Sequence, residues 1–263
     1  MATSTLGWLE CSRCRAALDV GALHGLCTGC GGVLWARYRL EDARRTMTPA
    51  AVRARAPTMW RYAEVLPGSD DPVALGEGMT PLHRATFLGA ELGLDRLYVK
   101  DEAVNPTGSF KARGMATAVT MARNLEVRRL ALPSAGNAGG AAAAYGARAG
   151  LAVDLYLPYE TPEPFRLEAV VHGARVHLVD GDIADCGAIV REATPTEGCF
   201  YLSTLKEPYR LEGKKTMGYE VAEQMGWNLP DVIIYPTGGG TGLVGMWKAF
   251  AEMEALGLSL IHI

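Results

Sequence analysis

The stretch DRLYVKDEAVNPTGSFKARGMATAVTMAR, residues 95–123, decides the fold. Leu97, Tyr98 and Val99 open it as a short β-strand, and Asn105, Pro106, Thr107 and Gly108 are loop and turn residues. The run from Phe110 to Arg123 has helical composition, with Ser109 as its expected N-cap. Two cations, Lys111 and Arg113, fall in the first helical turn, where the positive end of the helix dipole favours acids. Residues placed against a local rule often mark functional positions.

The same rhythm continues downstream. RRLALPSA, VDLYLP, RVHLVD, CFYLS and DVIIYP are apolar segments with β-branched or aromatic content, separated by helical stretches. Repeated β-α order predicts an α/β fold of parallel sheets with helices on both faces. The Arg- and Ala-rich residues 36–75 predict short helices and a linker, and the alanines of NAGGAAAAYGARAG a helix packed closely on a sheet. Ligands of open α/β sheets collect where strands end and helices begin. Three such loops carry unusual chemistry: NPTGSFK after LYVKDE, SAGNAGG after RRLALP, and TGGGTG after DVIIYP.

In the third loop, Gly238, Gly239, Gly240 and Gly242 let backbone N–H groups converge, and Thr237 and Thr241 add hydroxyls, forming an anion cradle at a helix start. The residues after Gly242 are not those of a Walker loop. Gly240 to Gly245 matches G-x-G-x-x-G, but no acid follows about twenty residues on, as a dinucleotide site requires. The plainer alternative is that these glycines serve helix–sheet packing. In the second loop, Ser134 and Asn137 present either ligand-holding groups or helix caps. In the first, a helix N-terminus and partial burial both disfavour an ammonium, so Lys111 is expected to hold free amine, unless it is an ordinary snorkelling surface cation. Free amine captures aldehydes. A phosphate cradle with an activated lysine implies a phosphorylated aldehyde, and pyridoxal 5'-phosphate has both handles.

The 263 residues carry 26 basic and 29 acidic side chains, a net charge of -3, and no basic face to track nucleic acid. No leader-like N-terminus and no apolar run of spanning length is present, so the expected location is the cytoplasm, without membrane contact. Cys11, Cys14, Cys27 and Cys30 form two C-x-x-C pairs, the spacing of four thiolates around one structural zinc. A ribbon that needs no metal, and redox-active thiols, are the alternatives. Cys186 and Cys199 read as small core residues.

NPTGSFKARG, SAGNAGG and PTGGGTG, in this order, resemble the fold-type II pyridoxal-phosphate enzymes, the tryptophan synthase β-like group. GEGMTPL, LPYETPEPFRLEAVVHGARV, LKEPYRLEGKKTMGYEVAEQMGW and the four-cysteine ribbon make the chain similar to the threonine synthases within it. The resemblance implies two doubly wound parallel-sheet lobes behind a zinc-ribbon-like segment. That segment would cover 1–36, the first part of the large lobe 37–110, the small lobe 111–204, and the return to the large lobe 205–263. It makes Lys111 the Schiff-base lysine and Phe110 a neighbour of the cofactor ring. Asn137 would meet the pyridine hydroxyl, and Gly238, Gly239, Gly240, Thr241 and Gly242 would bind the cofactor phosphate. Ser134, Ala135, Gly136 and Ala138 would line the substrate carboxylate loop, with Ala135 and Ala138 lacking the hydroxyls usual there.

Similar enzymes convert O-phospho-L-homoserine and water to L-threonine and phosphate, and Arg166, Lys206 and Arg210 are the candidates for the substrate phosphate. Threonine synthases run well beyond this length, so the expectation is a fragment whose large lobe is short of its last strands, with an aberrant tail after about residue 256, that on its own folds poorly or is inactive. The expected partners are a small-molecule amino-acid substrate and, as an open option, a second copy in a homodimer. Two other readings stand beside it. One is a serine or threonine dehydratase or another β-eliminating or β-replacing relative; the other is a dinucleotide-binding or zinc-ribbon interaction module without lysine chemistry.

Overall fold

The computed structural model describes residues 3–68, 71–193 and 198–258. Strands β1 (Leu6–Cys11), β2 (Ala17–Leu18) and β3 (Leu34–Tyr38) form an antiparallel ribbon in the order β2-β1-β3. Its inward face follows the two-residue period of a half-buried strand, with Leu9, Cys11, Leu34, Ala36 and Tyr38 buried. Helices α1 (Leu40–Thr46) and α2 (Pro49–Arg53) and a 3-10 segment over Met59–Val65 are the short helices expected between 36 and 75. Thr48 caps α2 by accepting from the Ala51 amide at 3.2 Å, with Pro49 at the first helical position.

Strand β4 (Leu82–Arg84), helix α3 (Thr86–Leu92) and strand β5 (Tyr98–Lys100) follow. β5 was expected in a parallel sheet; it pairs antiparallel with β4 instead. The amide of Asp101 donates to Pro81 and that of Ala85 to Leu97, so residues 81–85, which begin at the end of GEGMTPL, fill the hydrogen-bonding edge of β5 locally.

Helix α4 (Lys111–Asn124) leads into the parallel sheet. This is built from β6 (Arg129–Pro133), α5 (Asn137–Ala149), β7 (Ala152–Pro158), α6 (Glu163–Val171), β8 (Arg175–Val179), α7 (Ile183–Ala193) and β9 (Cys199–Tyr201). The strand order is β8-β7-β6-β9, every pairing parallel. Right-handed crossovers then place α5 and α6 on one face and α7 on the other, as the repeated β-α pattern predicts. The chain steps outward from β6 to β8 and returns to the opposite side of β6, so the carboxyl ends of β6 and β9 flank a topological switch point.

Helices α8 (Tyr209–Gln224) and α9 (Thr241–Leu256) complete the frame, with α8 packed between α4 and α9. Glycines set these approaches: a Cβ on Gly213 would lie 1.9 Å from the Arg113 carbonyl, and one on Gly245 3.0 Å from the Lys215 amide nitrogen. α8 is buried on nearly every side, charged residues included, and those charges pair across helices. Glu220 accepts from Arg113 at 2.5 and 2.7 Å and from Lys100 at 2.9 Å. Lys215 donates to Glu212 at 2.7 Å and Glu252 at 3.0 Å, while Lys248 pairs with Glu212. Apolar clusters lie on both sides of this frame. One runs from the ribbon through α4 and α5 to β6 and β7; the other joins α1, α8 and α9 through Met47, Tyr219, Ala249 and Met253.

The segment DVIIYP was expected as a strand of a second parallel sheet. Residues 232–237 form none; the parallel sheet described is the four-stranded one, and no described strand lies beside this segment. Val232 is 75% and Ile234 93% exposed, because β character is realised only against a partner strand. The tail from Ser259 lies outside the described residues.

Candidate active site

α4 begins at Lys111 with Phe110 as N-cap, and Ser109 assists from one residue earlier, its Oγ accepting from the Lys111 amide at 3.4 Å. The two cations of this turn have separate fates. Arg113 is fully buried, and its guanidinium is held between Glu102, at 2.7 Å to each oxygen, and Glu220. Burial opposes its charge, but the two carboxylates overcome this and raise its pKa. Lys111 is half-buried, its Nζ 3.9 Å from the centroid of the Phe110 ring. Burial, and secondarily the Arg210 guanidinium, hold its pKa below the ordinary lysine range. Lys111 is therefore kept toward free amine, as the sequence implied.

A second amine, Lys214 on α8, lies 5.2 Å from the same ring. Burial, then Arg210, then Lys111, push its pKa well down. It donates to Thr241 Oγ1 at 2.6 Å, which ties α8 to the glycine loop. Arg210 is buried, bonds the Leu202 carbonyl at 3.3 Å, and stands 4.0 Å from Glu207, whose oxygens accept the Tyr209 and Arg210 amides. Arg210 Nε has no hydrogen-bond partner; burial depresses its pKa. Lys111 and Lys214 thus share the Phe110 ring, with Arg210 as the charged neighbour that lowers the pKa of both and Glu207 as the acid acting on Arg210 and Lys214.

The glycines of the third loop divide by role. A Cβ on Gly239 would meet Thr204 at 2.3 Å, one on Gly242 the Tyr235 hydroxyl at 2.1 Å, and Gly245 faces α8, so these three serve packing. The dinucleotide reading of Gly240 to Gly245 gains no support, because the fingerprint opens from a strand and residues 232–237 form none. Gly238 and Gly240 face open space, Gly240 at φ 78°, and present bare backbone ahead of the first turn of α9. Tyr235 meets Phe110 edge to face at 5.8 Å, and its buried hydroxyl lacks a partner, burial pushing its pKa up to about 12.

The second loop leaves the end of β6 at the switch point. Ser134 is buried and used structurally: its Oγ accepts from the Gly139 amide at 2.9 Å and donates to the Gly136 carbonyl at 3.0 Å. Ala135 and Asn137 are exposed, Gly136 and Ala138 half-buried. Helix α5 packs on α4 and on the 106–108 turn, which brings this loop to the same rim as Lys111. Arg166 lies on α6, whose Phe165 ring faces Gly136 at 3.7–3.9 Å of a would-be Cβ, and its buried Nε also lacks a partner. Lys206 is exposed and takes no part in these contacts; its carbonyl faces Gly25 of the ribbon.

Lys214, Tyr235 and Thr204 were not singled out in the sequence. Arg210 and Lys214, four residues apart, share one face of α8, and that spacing was the available signal.

Whether a phosphorylated aldehyde fits is decided by what the site leaves unsatisfied. Open backbone at Gly238 and Gly240 and a helix N-terminus suit a phosphate; Lys111 suits an aldehyde; the Phe110 ring and the unpaired Tyr235 hydroxyl, side by side, offer an aromatic edge and a polar atom to a ring beside them. A lysine kept as amine beside an anion cradle, at the switch point of a parallel sheet, defines the class of α/β enzymes that hold a phosphorylated carbonyl cofactor. Residues 73–262 match the family described as "Pyridoxal-phosphate dependent enzyme", and the chain belongs to that family. Its cofactor is accordingly pyridoxal 5'-phosphate.

Among curated relatives, the chain is 36% identical over 252 residues to threonine synthase of Methanosarcina acetivorans and 38% identical over 252 residues to that of Methanocaldococcus jannaschii. Each alignment covers 95% of this chain and 62% of the relative, so the chain spans less than two thirds of their length. Among solved structures, maize serine racemase aligns with a TM-score of 0.59 at 23% identity, covering 65% of this chain and 51% of that one. The processed form of threonine deaminase isoform 2 from Solanum lycopersicum aligns with a TM-score of 0.58 at 26% identity, covering 66% and 47%. Among the described residues, no helix is long and apolar enough to cross a membrane.

Proposed function

We propose that the chain carries the chemistry of a pyridoxal-phosphate-dependent lyase acting on O-phospho-L-homoserine, with water entering and L-threonine and inorganic phosphate leaving. The observation that carries this reading is buried guanidinium left short of hydrogen bonds. Arg210 stands with Lys111 and Lys214 beside a glycine cradle able to take one phosphate, and the buried Nε atoms of Arg166 and Arg210 have no hydrogen-bond partner. A second anion, on the substrate, would meet those groups. The archaeal relatives named threonine synthase support the same substrate.

When bound, pyridoxal phosphate supplies an aldehyde for amine capture and an electron sink for charge at the substrate Cα. Gly238, Gly240, Thr241 and the α9 N-terminus would hold its phosphate, with Lys214 bracing Thr241 by a 2.6 Å hydrogen bond. Phe110 and Tyr235 bound the ring, while Asn137 is placed at the rim for its polar edge. Lys111 Nζ, whose ammonium form burial disfavours, accepts the substrate Cα proton, then takes one proton from Cβ and delivers one to Cγ. Arg210, with Arg166, binds the substrate phosphate and balances its charge as the Cγ–O bond breaks. In net terms Cβ loses one hydrogen and gains hydroxyl from water, and Cγ gains one hydrogen. Ser134 holds the loop that faces the substrate carboxylate.

Borohydride reduction of the cofactor-loaded chain followed by peptide mapping is expected to place the pyridoxyl label on Lys111, and Lys111→Ala to abolish it. O-phospho-L-homoserine is expected to raise the melting temperature of the loaded chain and to release phosphate, whereas L-homoserine does neither. An equal response to both ligands, or 2-oxo acid formation from L-threonine without phosphate release, would replace this reading with a dehydratase-type elimination.

A further inference from the structure

We propose that Cys11, Cys14, Cys27 and Cys30 bind one zinc ion, and that this ion locks the ribbon connector against the loop that leads into α8, the helix that carries Arg210. The four Sγ atoms lie within 4.8 Å of one another, with Cys11 to Cys30 at 3.4 Å and Cys14 to Cys27 at 3.7 Å. A tetrahedron with Zn–S bonds of about 2.3 Å has edges of about 3.8 Å, so four thiolates already stand close to the corners of such a site. Both distances exceed a disulfide bond of about 2.05 Å.

The backbone argues the same way, because the two C-x-x-C turns repeat each other. The Arg15 amide donates to the Cys11 carbonyl and the Gly31 amide to the Cys27 carbonyl, at 3.1 and 2.8 Å. The Cys11 amide donates to Ala16 and the Cys27 amide to Gly32, both at 2.9 Å. The residue after each second cysteine is left-handed, Arg15 at φ 62° and Gly31 at φ 67°. Arg15 accepts this conformation without being glycine, which is strain that a shared centre explains. The Arg13 amide points at Cys11 Sγ at 3.4 Å, and a Cβ on Gly32 would lie 2.7 Å from the same sulfur. Cys11 and Cys27 are buried while Cys14 and Cys30 lie at the surface, a closed four-sulfur set that leaves no position for substrate.

What the ion holds follows from the chain path. Between the knuckles, the connector 15–26 has only two residues in a strand, too little regular structure to fix itself. It nevertheless crosses the start of α8: a Cβ on Gly25 would sit 3.1 Å from the Lys206 carbonyl, and Leu18 and Val20 pack on the core that contains Tyr209. Lys206 precedes Glu207, which holds the amides of Tyr209 and Arg210. Fixing both ends of the connector therefore fixes what packs against Lys206 and Tyr209, the residues that directly precede Glu207 and Arg210.

The test uses the whole 263-residue chain. Elemental analysis is expected to give one zinc per chain, cobalt substitution a thiolate charge-transfer band, and bound metal to protect all four thiols from alkylation. Cys14→Ser with Cys30→Ser should lose the metal, while Lys111→Ala keeps it, which separates this site from the cofactor. Zinc-replete chain with no stoichiometric metal, or thiols found as two disulfides, overturns the site even if the double variant does not fold. Stripping the metal from the wild-type chain with a chelator should speed hydrogen exchange about tenfold or more in both 15–33 and 203–210. Acceleration confined to 15–33 overturns the lock on α8.

Discussion

Glu220→Gln is the sharpest test of how the frame places Lys111. Glu220 is fully buried and receives Arg113 through two hydrogen bonds and Lys100 through a third, which fastens α4 and β5 to α8. Burial alone would raise its pKa; Arg113 and then Lys100 overcome this and lower it from the ordinary 4.5 to about 2. A lowering of that size corresponds to about 3 kcal/mol of preference for the ionised form at about 1.4 kcal/mol per tenfold, and removing one partner of a buried pair costs about 3–5 kcal/mol. Glutamine keeps the shape and removes the charge, leaving Arg113 with Glu102 alone. Urea unfolding at pH 7 is expected to show a loss of about 3 kcal/mol against a domain total of about 5–15 kcal/mol. The sign with pH follows from a depressed carboxylate: this contribution is complete above about pH 4.5 and disappears as pH falls towards 2. The wild-type stability curve should therefore fall over that window, with the variant flatter by the same amount. A loss under about 1 kcal/mol, or parallel pH curves, would refute the view that this pairing holds α4 in place.

Three further outcomes follow from the same geometry. Lys214→Met, which removes the bond to Thr241, is expected to weaken pyridoxal phosphate binding about 2- to 10-fold by equilibrium dialysis, the worth of an ordinary hydrogen bond, with thermal stability unchanged or higher. Gly213→Ala forces a methyl into the Arg113 carbonyl, and a melting experiment should show a cost of about 1–3 kcal/mol or more. Arg210→Gln removes a positive neighbour of Lys111, so the lysine pKa rises and the pH midpoint of pyridoxyl labelling at Lys111 moves upward; an unmoved midpoint would show that burial acts alone.

The half-buried setting and lowered pKa of Lys111 in the first turn of α4 were legible because the residue breaks a local rule, and local rules can be read from local sequence. The same holds for the two cysteine knuckles and for the β-α alternation from Arg129 to Tyr201, where strand and helix periods change visibly. Charge placement in α8 was not legible. Glu212, Lys214, Lys215 and Glu220 look like a solvated helix surface, and what compensates them sits on α4, α9 and β5, far away in sequence. β5 and the DVIIYP segment show the same limit for strands: a β-prone run fixes neither the direction nor the presence of its partner. Ser134 and Gly245 show it for motifs, since a capping serine and a packing glycine have the same letters as ligand-binding ones.

The paired charges buried among α4, α8, α9 and β5 also bear on how the molecule responds to heat. The free energy of hydrating ions weakens as temperature climbs, so sequestering Arg113, Glu220, Lys215 and Glu252 from solvent becomes less costly in the very range where apolar contacts stop gaining strength. Warming is then expected to loosen the four-stranded sheet before this helical scaffold, and a thermal melt followed residue by residue would show the lysine-bearing helix among the last parts to give way.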